Sequence, residues 1–333
     1  SYSKKLEQIR LEKKALEEKI YRKAEDQRNE LFLQRADLVV EEEKEERSIR
    51  SELSKIIAGH SETFFHNMQE IGKLDHWIAK AKLARSYPSC MPKLLEEKTL
   101  LLTQASNPMI ADLLRREMAD FQPINLELKA GTTVITGANM GGKSVSLKTL
   151  LLNVILVHLG MLPFAKEASL GLFDFIFYLG DDYEDVKSGL SSFGAEVLKL
   201  RDILKRTKKE KGLLVLDEPA RGTNPKEGRA IVKGLAQHFL GGENILLLAT
   251  HFDQIVEPGM VHYQIRGFEG VDFNKLRDNL QIQEGRSLEI LRSQMDYRLE
   301  LVSGGQEVPK DALRICSLLG LDRELIETIN KLL

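Results

Sequence analysis

The chain of 333 residues is 42% hydrophobic and 29% charged, which is enough for a large buried core in one or two domains. Its 48 basic and 50 acidic residues are nearly balanced, unlike the composition of a dedicated nucleic-acid-binding domain. The longest apolar run, 150–162, is interrupted by Asn153 and His158 and is too short to span a bilayer.

The cysteines and the first residues indicate a cytoplasmic protein. Cys90 and Cys316 are far apart in the sequence, and we expect two free thiols rather than a disulfide. No Cys/His cluster has the spacing of a zinc site. No signal or lipidation motif is found at the first residues, so we expect no membrane association.

Residues 3–58 are almost all helix-forming and heavily charged, and no proline occurs before Pro88. This composition predicts long helices, with the mostly acidic run 41–46 as a solvated face. The first helix carries a weak apolar stripe of Leu6, Ile9, Leu16 and Ile20. Lys13 and Lys23 interrupt that stripe, which predicts that the helix projects partly into solvent or meets a partner.

A second stripe recurs at steps of three and four residues. It consists of Leu53, Ile57, His60, Phe64, Asn67, Ile71, Leu74, Ile78 and Ala81. This spacing is of coiled-coil type and predicts packing on another helix. Pro88 and Pro92 then mark a boundary, so we assign 1–88 to a helical region and begin the next domain at residue 89, with Leu100 to Gln104 as a strand.

A phosphate-binding loop follows the apolar run Thr133 to Thr136. Its residues are Gly137, Ala138, Asn139, Met140, Gly141, Gly142, Lys143 and Ser144. Glycines let backbone N–H groups close around phosphate oxygens, Lys143 reaches the β- and γ-phosphates, and the Ser144 hydroxyl can ligate Mg²⁺. A long apolar helix pattern comes next and adds its positive N-terminal end. The sequence therefore predicts that a nucleoside triphosphate and Mg²⁺ bind here.

Two later strands end in polar groups. The run Gly212 to Leu216 leads into Asp217 and Glu218, and we interpret Asp217 as a magnesium ligand and Glu218 as the group that polarises water. The alternative is an acidic pair that caps the next helix. The run Ile245 to Thr250 leads into His251, which alone would more often be a structural hydrogen-bonding residue. Because strand ends meet at one edge of a parallel sheet, we interpret His251 as a γ-phosphate sensor.

The remaining segments are less specific. The basic cluster 205–211 falls at the predicted end of a helix, where the helix dipole favours cations, so we prefer a solvated helix end to a phosphate-contact patch. The runs 176–179 and 261–265 predict further strands. The polar segment 181–185 predicts a loop. Residues 269–333 end in two short helices joined at Gly320, with Asp322 as an N-cap.

These motifs resemble those of the MutS mismatch-repair ATPases, part of the wider ABC-type ATPase group. The loop 137–144 is similar to GPNMGGKS, the segment 217–224 to the family's DE..RGT, and 249–252 to its ATH segment. The segment 190–196 resembles the signature STF..E, and 71–84 resembles the end of the family's lever helix. The resemblance covers roughly residues 60–333.

The resemblance implies an α/β fold, a P-loop NTPase of ABC/MutS type with a mixed, mainly parallel sheet. A long helical stalk (1–88) precedes the ATPase domain (89–268). C-terminal helices (269–333) follow and serve dimerisation, with packing on their own subunit as the alternative. It implies a homodimer, or a heterodimer with a related MutS-like subunit, in which Ser191 of one subunit completes the nucleotide site of the other. Lys143, Glu218 and His251 would be the catalytic residues, and Ser144 and Asp217 the magnesium ligands.

The chain departs from the family at three positions: Ala138 replaces proline, Ser192 replaces threonine, and Pro219 follows the acid pair. None of these changes removes a catalytic group, and together they indicate a divergent branch. The expected function is ATP hydrolysis coupled to movement of the stalk, in DNA mismatch repair or related processing with DNA as a partner. The alternatives are a protein-remodelling factor, for example for an adenosylcobalamin-dependent aminomutase, and a structural module that dimerises on ATP without hydrolysis.

Overall fold

The computed structural model describes residues 3–23, 28–117, 119–137, 142–180, 192–268, 271–273, 276, 294–302 and 312–331. The helices are α1 Lys4–Arg22, α2 Asn29–Ala58, α3 Ser61–Ser86, α4 Pro108–Arg116, α5 Lys143–His158, α6 Ser192–Arg206, α7 Pro225–Phe239, α8 Ala312–Leu318 and α9 Arg323–Asn330. The strands are β1 Lys93–Leu95, β2 Leu100–Ala105, β3 Ile124–Leu128, β4 Gly131–Thr136, β5 Glu167–Gly171, β6 Phe175–Leu179, β7 Gly212–Asp217, β8 Ile245–Ala249, β9 Val261–Gly267 and β10 Asp296–Leu301.

The chain divides into two compact units, Ser1–Ala79 and Lys80–Leu333. In the first unit, α1 pairs with α2, and Leu6, Ile9 and Ile20 are buried. The interruption of the apolar stripe at Lys13 is compensated by an ion pair between its ammonium group and Glu42 on α2. The partner of the first helix is therefore the next helix of the same chain.

The second apolar stripe is not covered. The helix that was expected to carry it breaks at Gly59 and His60, between α2 and α3. Its large apolar side chains are exposed: Phe64 by 55%, Ile71 by 66% and Leu74 by 53%. The predicted packing of this stripe on another helix is therefore absent among the described residues. The residues buried where α1 meets α2 are Leu6, Ile9 and Ile20, which do not belong to this stripe.

The second unit contains a six-stranded sheet in the order β10-β9-β4-β8-β7-β6, in which only β10 is antiparallel to its neighbour. Residues along β7 alternate between two hydrophobic clusters, Leu213 and Val215 facing one and Leu214 and Leu216 the other. The first cluster includes residues of α5 and the second residues of α6 and α7, so helices cover both faces. This burial explains the continuous apolar runs of β7 and β8 and confirms the predicted mixed, mainly parallel α/β fold.

A smaller sheet, β1-β5-β2-β3, packs into the same core as α5. Its strand β2 coincides with the predicted strand, and β6 and β9 contain the other two. Both cysteines are free thiols, as expected. None of the helices that the structure describes is both long and apolar enough to cross a membrane.

The C-terminal helices α8 and α9 agree with the sequence prediction. Gly320, with φ +83°, lies between them. The Asp322 side chain accepts a hydrogen bond from the Leu325 N–H at 3.0 Å, so it is the N-cap of α9. Ile315 and Leu318 of α8 pack against a small cluster formed by Phe268, Leu276 and Met295.

Candidate active site

The site lies at the carboxyl ends of three neighbouring parallel strands. Ile135 of β4 and Asp217 of β7 both pair with Ala249 of β8, so the three strands end at the same level. The chain leaves these ends at Gly137, Glu218 and Thr250. The predicted convergence of the glycine loop, the acid pair and His251 at one edge of the sheet is therefore confirmed.

Two glycines of the predicted phosphate loop adopt conformations that other residues disfavour. Gly137 has φ +147° and Gly142 has φ +86°. A Cβ on Gly142 would lie 2.9 Å from Cδ1 of Tyr297, so the tyrosine ring packs directly against the loop. Four loop residues, Ala138, Asn139, Met140 and Gly141, lie outside the described part of the chain.

Lys143 and Ser144 occupy the first turn of α5, where backbone N–H groups and the helix dipole favour an anion. The Lys143 side chain is only 4% exposed. Its Nζ donates to the Gly137 carbonyl at 2.9 Å and lies 3.3 Å from Oε1 of Glu218. Ser144 is exposed at the start of the same helix.

The Glu218 carboxylate is surrounded by nitrogen groups. Besides Lys143, His251 Nδ1 lies 3.7 Å and Arg221 Nη1 3.9 Å from its Oε2. The pKa of Glu218 is lowered to about 2, foremost by the His251 ring and then by the charge of Lys143, against the opposing effect of burial. Because the distance of 3.7 Å between Nδ1 and Oε2 is slightly longer than a hydrogen bond, the His251 ring lowers the pKa of Glu218 fully only when it moves closer to the carboxylate. Glu218 is therefore ionised at neutral pH.

His251 Nδ1 is buried and makes no hydrogen bond within the described part of the chain. A buried polar nitrogen without a partner is costly, and such groups are usually found where a ligand or water completes the bonding. The neighbouring Thr250 is held by its N–H, which donates to the Ile135 carbonyl at 3.1 Å. The histidine is thus fixed at the strand ends with a polar atom available to a ligand.

Asp217 ends β7 and is 8% exposed. The Tyr178 hydroxyl, on the neighbouring strand β6, donates to its Oδ2 at 3.4 Å. Among the described residues, no group of three or more His, Cys, Asp or Glu side chains could hold a metal alone. Ser144 and Asp217 nevertheless fit Mg²⁺, which takes hard oxygen ligands and is commonly held by one or two protein oxygens plus substrate phosphates.

A cleft of about 510 Å³ is lined by residues of β2, of the segment around the start of β3, and of β10. Its lining includes Gln122 and Asn125 from the segment around the start of β3, and Arg298 and Leu299 from β10. The Gln122 side chain accepts a hydrogen bond from the Tyr297 N–H at 2.9 Å, which joins the two walls. The cleft therefore adjoins the tyrosine that packs on Gly142.

Several of these residues carried no signal in the sequence. Tyr178 and Tyr297 reach the site from β6 and β10, far along the chain from the residues they contact. Glu196 belongs to the segment that resembles the family signature, but its contact with the backbone after β7 was not predicted. The predicted contact residue Ser191 lies outside the described part of the chain.

The sequence of this chain is similar to a known protein family and to known proteins. The family MutS domain V matches residues 133–310, just over half of the chain. Two similar proteins, each named Endonuclease MutS2, come from Staphylococcus aureus strains JH9 and MRSA252 and are 30% identical over 228 residues. The alignment covers 68% of this chain but only 28% of each relative, so the chain spans less than a third of their length.

Proposed function

The chain belongs to the MutS family, and from that premise we propose that it binds Mg²⁺-ATP at the ends of β4, β7 and β8 and hydrolyses it. One observation carries the proposal: the ionised Glu218 lies beside Lys143 of the glycine loop and His251 of the adjacent strand. A solvated acid pair that merely caps a helix would not lie between two such groups.

Binding rests on the loop and the start of α5. The backbone N–H groups at this helix end and the Lys143 ammonium would receive the β- and γ-phosphates. Phosphate oxygens would compete with Glu218 for Lys143, since both are anions within reach of one ammonium group. Ser144 and Asp217 would hold Mg²⁺, which neutralises charge on the phosphates when it is bound.

Hydrolysis rests on Glu218 and His251. Glu218 would orient a water molecule and accept its proton as the water oxygen bonds to the γ-phosphorus. The bond between the γ-phosphorus and its bridging oxygen then breaks, and ADP leaves with the electron pair. His251 Nδ1 would contact the γ-phosphate or the water. When Lys143 turns to the phosphates, Glu218 loses a neighbouring cation and its carboxylate becomes more basic.

The cleft beside Tyr297 suits the nucleoside. Its walls combine the apolar Pro123 and Leu299 with the side-chain amides of Gln122 and Asn125, and Gln122 is bonded to Tyr297. An aromatic base needs this mixture of apolar surface and a few hydrogen-bonding groups. We therefore place the base and ribose here, with the phosphates extending to Lys143.

The dimer and the moving stalk are further parts of the proposal. The likeness to the family supports a second copy or related subunit whose Ser191 closes over the γ-phosphate. Hydrolysis would reopen the pair and shift the helices of residues 1–88. The two C-terminal helices would contribute to the dimer contact through apolar residues that remain exposed, such as Leu319 and Leu325. Ile315 and Leu318 instead pack within their own chain.

DNA is the proposed cargo because of family membership, and the relatives are named endonucleases. The charges of this chain give little independent support. In the basic cluster 205–211, Lys205 pairs with Asp202, Arg206 with Glu210 and Lys211 with Glu243. Surface cations that are already paired attract phosphates less strongly. A protein client is therefore the alternative cargo to be tested against DNA.

The test is ATP turnover of the wild type and Glu218→Gln, with and without duplex, mismatched and branched DNA over a salt series. We expect turnover in the wild type, its loss in Glu218→Gln, and stimulation by DNA that weakens as salt rises. Turnover that is equal in the two proteins would contradict the assignment of Glu218. Turnover that depends on Glu218 but not on DNA would refute the DNA cargo and direct the search to a protein client.

A further inference from the structure

The turn that carries Glu218 is strained. Glu218 has φ +50° and Ala220 has φ +61°, so two residues with side chains adopt the left-handed region on either side of Pro219. Each such residue is disfavoured, because its Cβ crowds the backbone, and the conformation persists only where the surroundings hold it. The direction of the Glu218 carboxylate therefore depends on the groups that fix this turn.

Two hydrogen bonds fix it. The Glu218 N–H donates to the Ala249 carbonyl of β8 at 3.0 Å. Pro219 has no N–H. The Ala220 N–H donates to Oε1 of Glu196, on α6, at 2.7 Å. One backbone donor of the turn is thus held by the sheet, and the other is held by a side chain.

The hydrogen bond from the Ala220 N–H to the Glu196 carboxylate is stronger than a bond between neutral groups. A bond of this kind, from a backbone N–H to an ionised carboxylate, is also short. Ala220 is only 1% exposed, so loss of the carboxylate would leave a shielded N–H without this acceptor. On the other side, α7 approaches closely: a Cβ on Gly228 would lie 2.9 Å from the Ala220 carbonyl oxygen.

We infer that Glu196 is a positioning residue for ATP hydrolysis, which holds the turn 218–220 so that Glu218 faces Lys143 and His251. The inference rests on the proposed function. Glu196 itself acts through the backbone and not on the nucleotide. It therefore sets the rate of the chemical step and leaves phosphate binding by Lys143 and Ser144 unaltered.

The test compares Glu196→Ala, which removes the acceptor, with Glu196→Gln, which keeps an amide oxygen. Asp202→Ala is the matched control, since Asp202 lies on the same helix with a side chain 59% exposed and an ion pair to Arg201. Turnover number and the Kd of Mg²⁺-ATP are measured for each folded protein. We expect Glu196→Ala to lower kcat about 10- to 100-fold with Kd changed less than about threefold.

Glu196→Gln should retain kcat within about threefold of the wild type, and Asp202→Ala should equal it. A double variant distinguishes positioning of Glu218 from a merely structural role, which would lower residual turnover in either background. In the Glu218→Gln background, Glu196→Ala should cause no further loss of residual turnover, because the group that it positions is already gone.

Three results would overturn the inference: an unchanged kcat in Glu196→Ala, an equal loss in Asp202→Ala, or a further tenfold loss in the Glu218→Gln background. The first two leave the proposed ATPase intact and remove only the role of Glu196. Absence of turnover in the wild type would instead overturn the proposed function and this inference together.

Discussion

Replacing Glu218 by glutamine should destabilise the second unit in a way that depends on pH. Glutamine has nearly the same shape but no charge, so it resembles the protonated form of the glutamic acid. The substitution leaves Lys143, whose side chain is 4% exposed, without its carboxylate partner. A buried charge that loses its partner is costly, and the folded state bears that cost.

The magnitude follows from the carboxyl group itself. Its pKa falls from the ordinary 4.5 to about 2 in the folded chain. At about 1.4 kcal/mol per pH unit, the ionised side chain contributes at most about 3 to 4 kcal/mol to the free energy of unfolding. Because the folded pKa is the lower one, this contribution is complete above the unfolded pKa of 4.5. It is lost as the pH falls through 4.5 toward about 2.

The assay is denaturant unfolding of both proteins from pH 7.5 down to pH 3, followed through the transition of the unit Lys80–Leu333. The gap in unfolding free energy should be largest at pH 7.5 and should shrink with acid. Glu243→Gln is the control, since that side chain is 75% exposed in a surface pair with Lys211, and such pairs contribute less than about 1 kcal/mol. A gap that stays constant or widens toward pH 3 would refute the assignment of the ion pair.

Three further outcomes follow from the site and its surroundings. His251→Asn should lower kcat about 10- to 100-fold with Kd for Mg²⁺-ATP within threefold, measured by turnover and nucleotide titration; an equal change in both would contradict a role in the chemical step. Gly142→Ala should destabilise the chain by at least about 1 kcal/mol in thermal unfolding, because the residue has φ +86° and its Cβ would clash with the Tyr297 ring. Gly234→Ala, in the middle of α7 with open space around it, should be neutral or stabilising. Asp322→Ala should cost about 1 kcal/mol of helix α9, seen as faster amide exchange of the Leu325 N–H; unchanged exchange would remove the capping role.

Much of the site could be predicted because its signals are local. Glycines before Lys143, apolar runs before Asp217 and His251, and the burial implied by those runs are all properties of short segments. The rule that parallel strands end at one edge then places the three segments together. The structure confirms that convergence for the residues it describes, with Glu218 between Lys143 and His251.

The contacts that adjust the site could not be predicted in this way. The bond from Ala220 to Glu196, the packing of Tyr297 on Gly142, and the hydroxyl of Tyr178 at Asp217 join elements that are distant in sequence. No periodicity specifies such partners. They depend on the strand order, which places β10 at one edge of the sheet and β6 at the other, and on the face that each helix covers.

The helical region shows the same division. The sequence by itself determined the long helices α1 and α2, since composition and the absence of proline are sufficient for that. Only the tertiary structure decided that α1 packs on α2 and that the apolar residues of α3 stay exposed. The physical reason is that an apolar stripe indicates only that one face of a helix is buried. Chain connectivity and complementary charges, such as Lys13 and Glu42, determine which helix packs against that face.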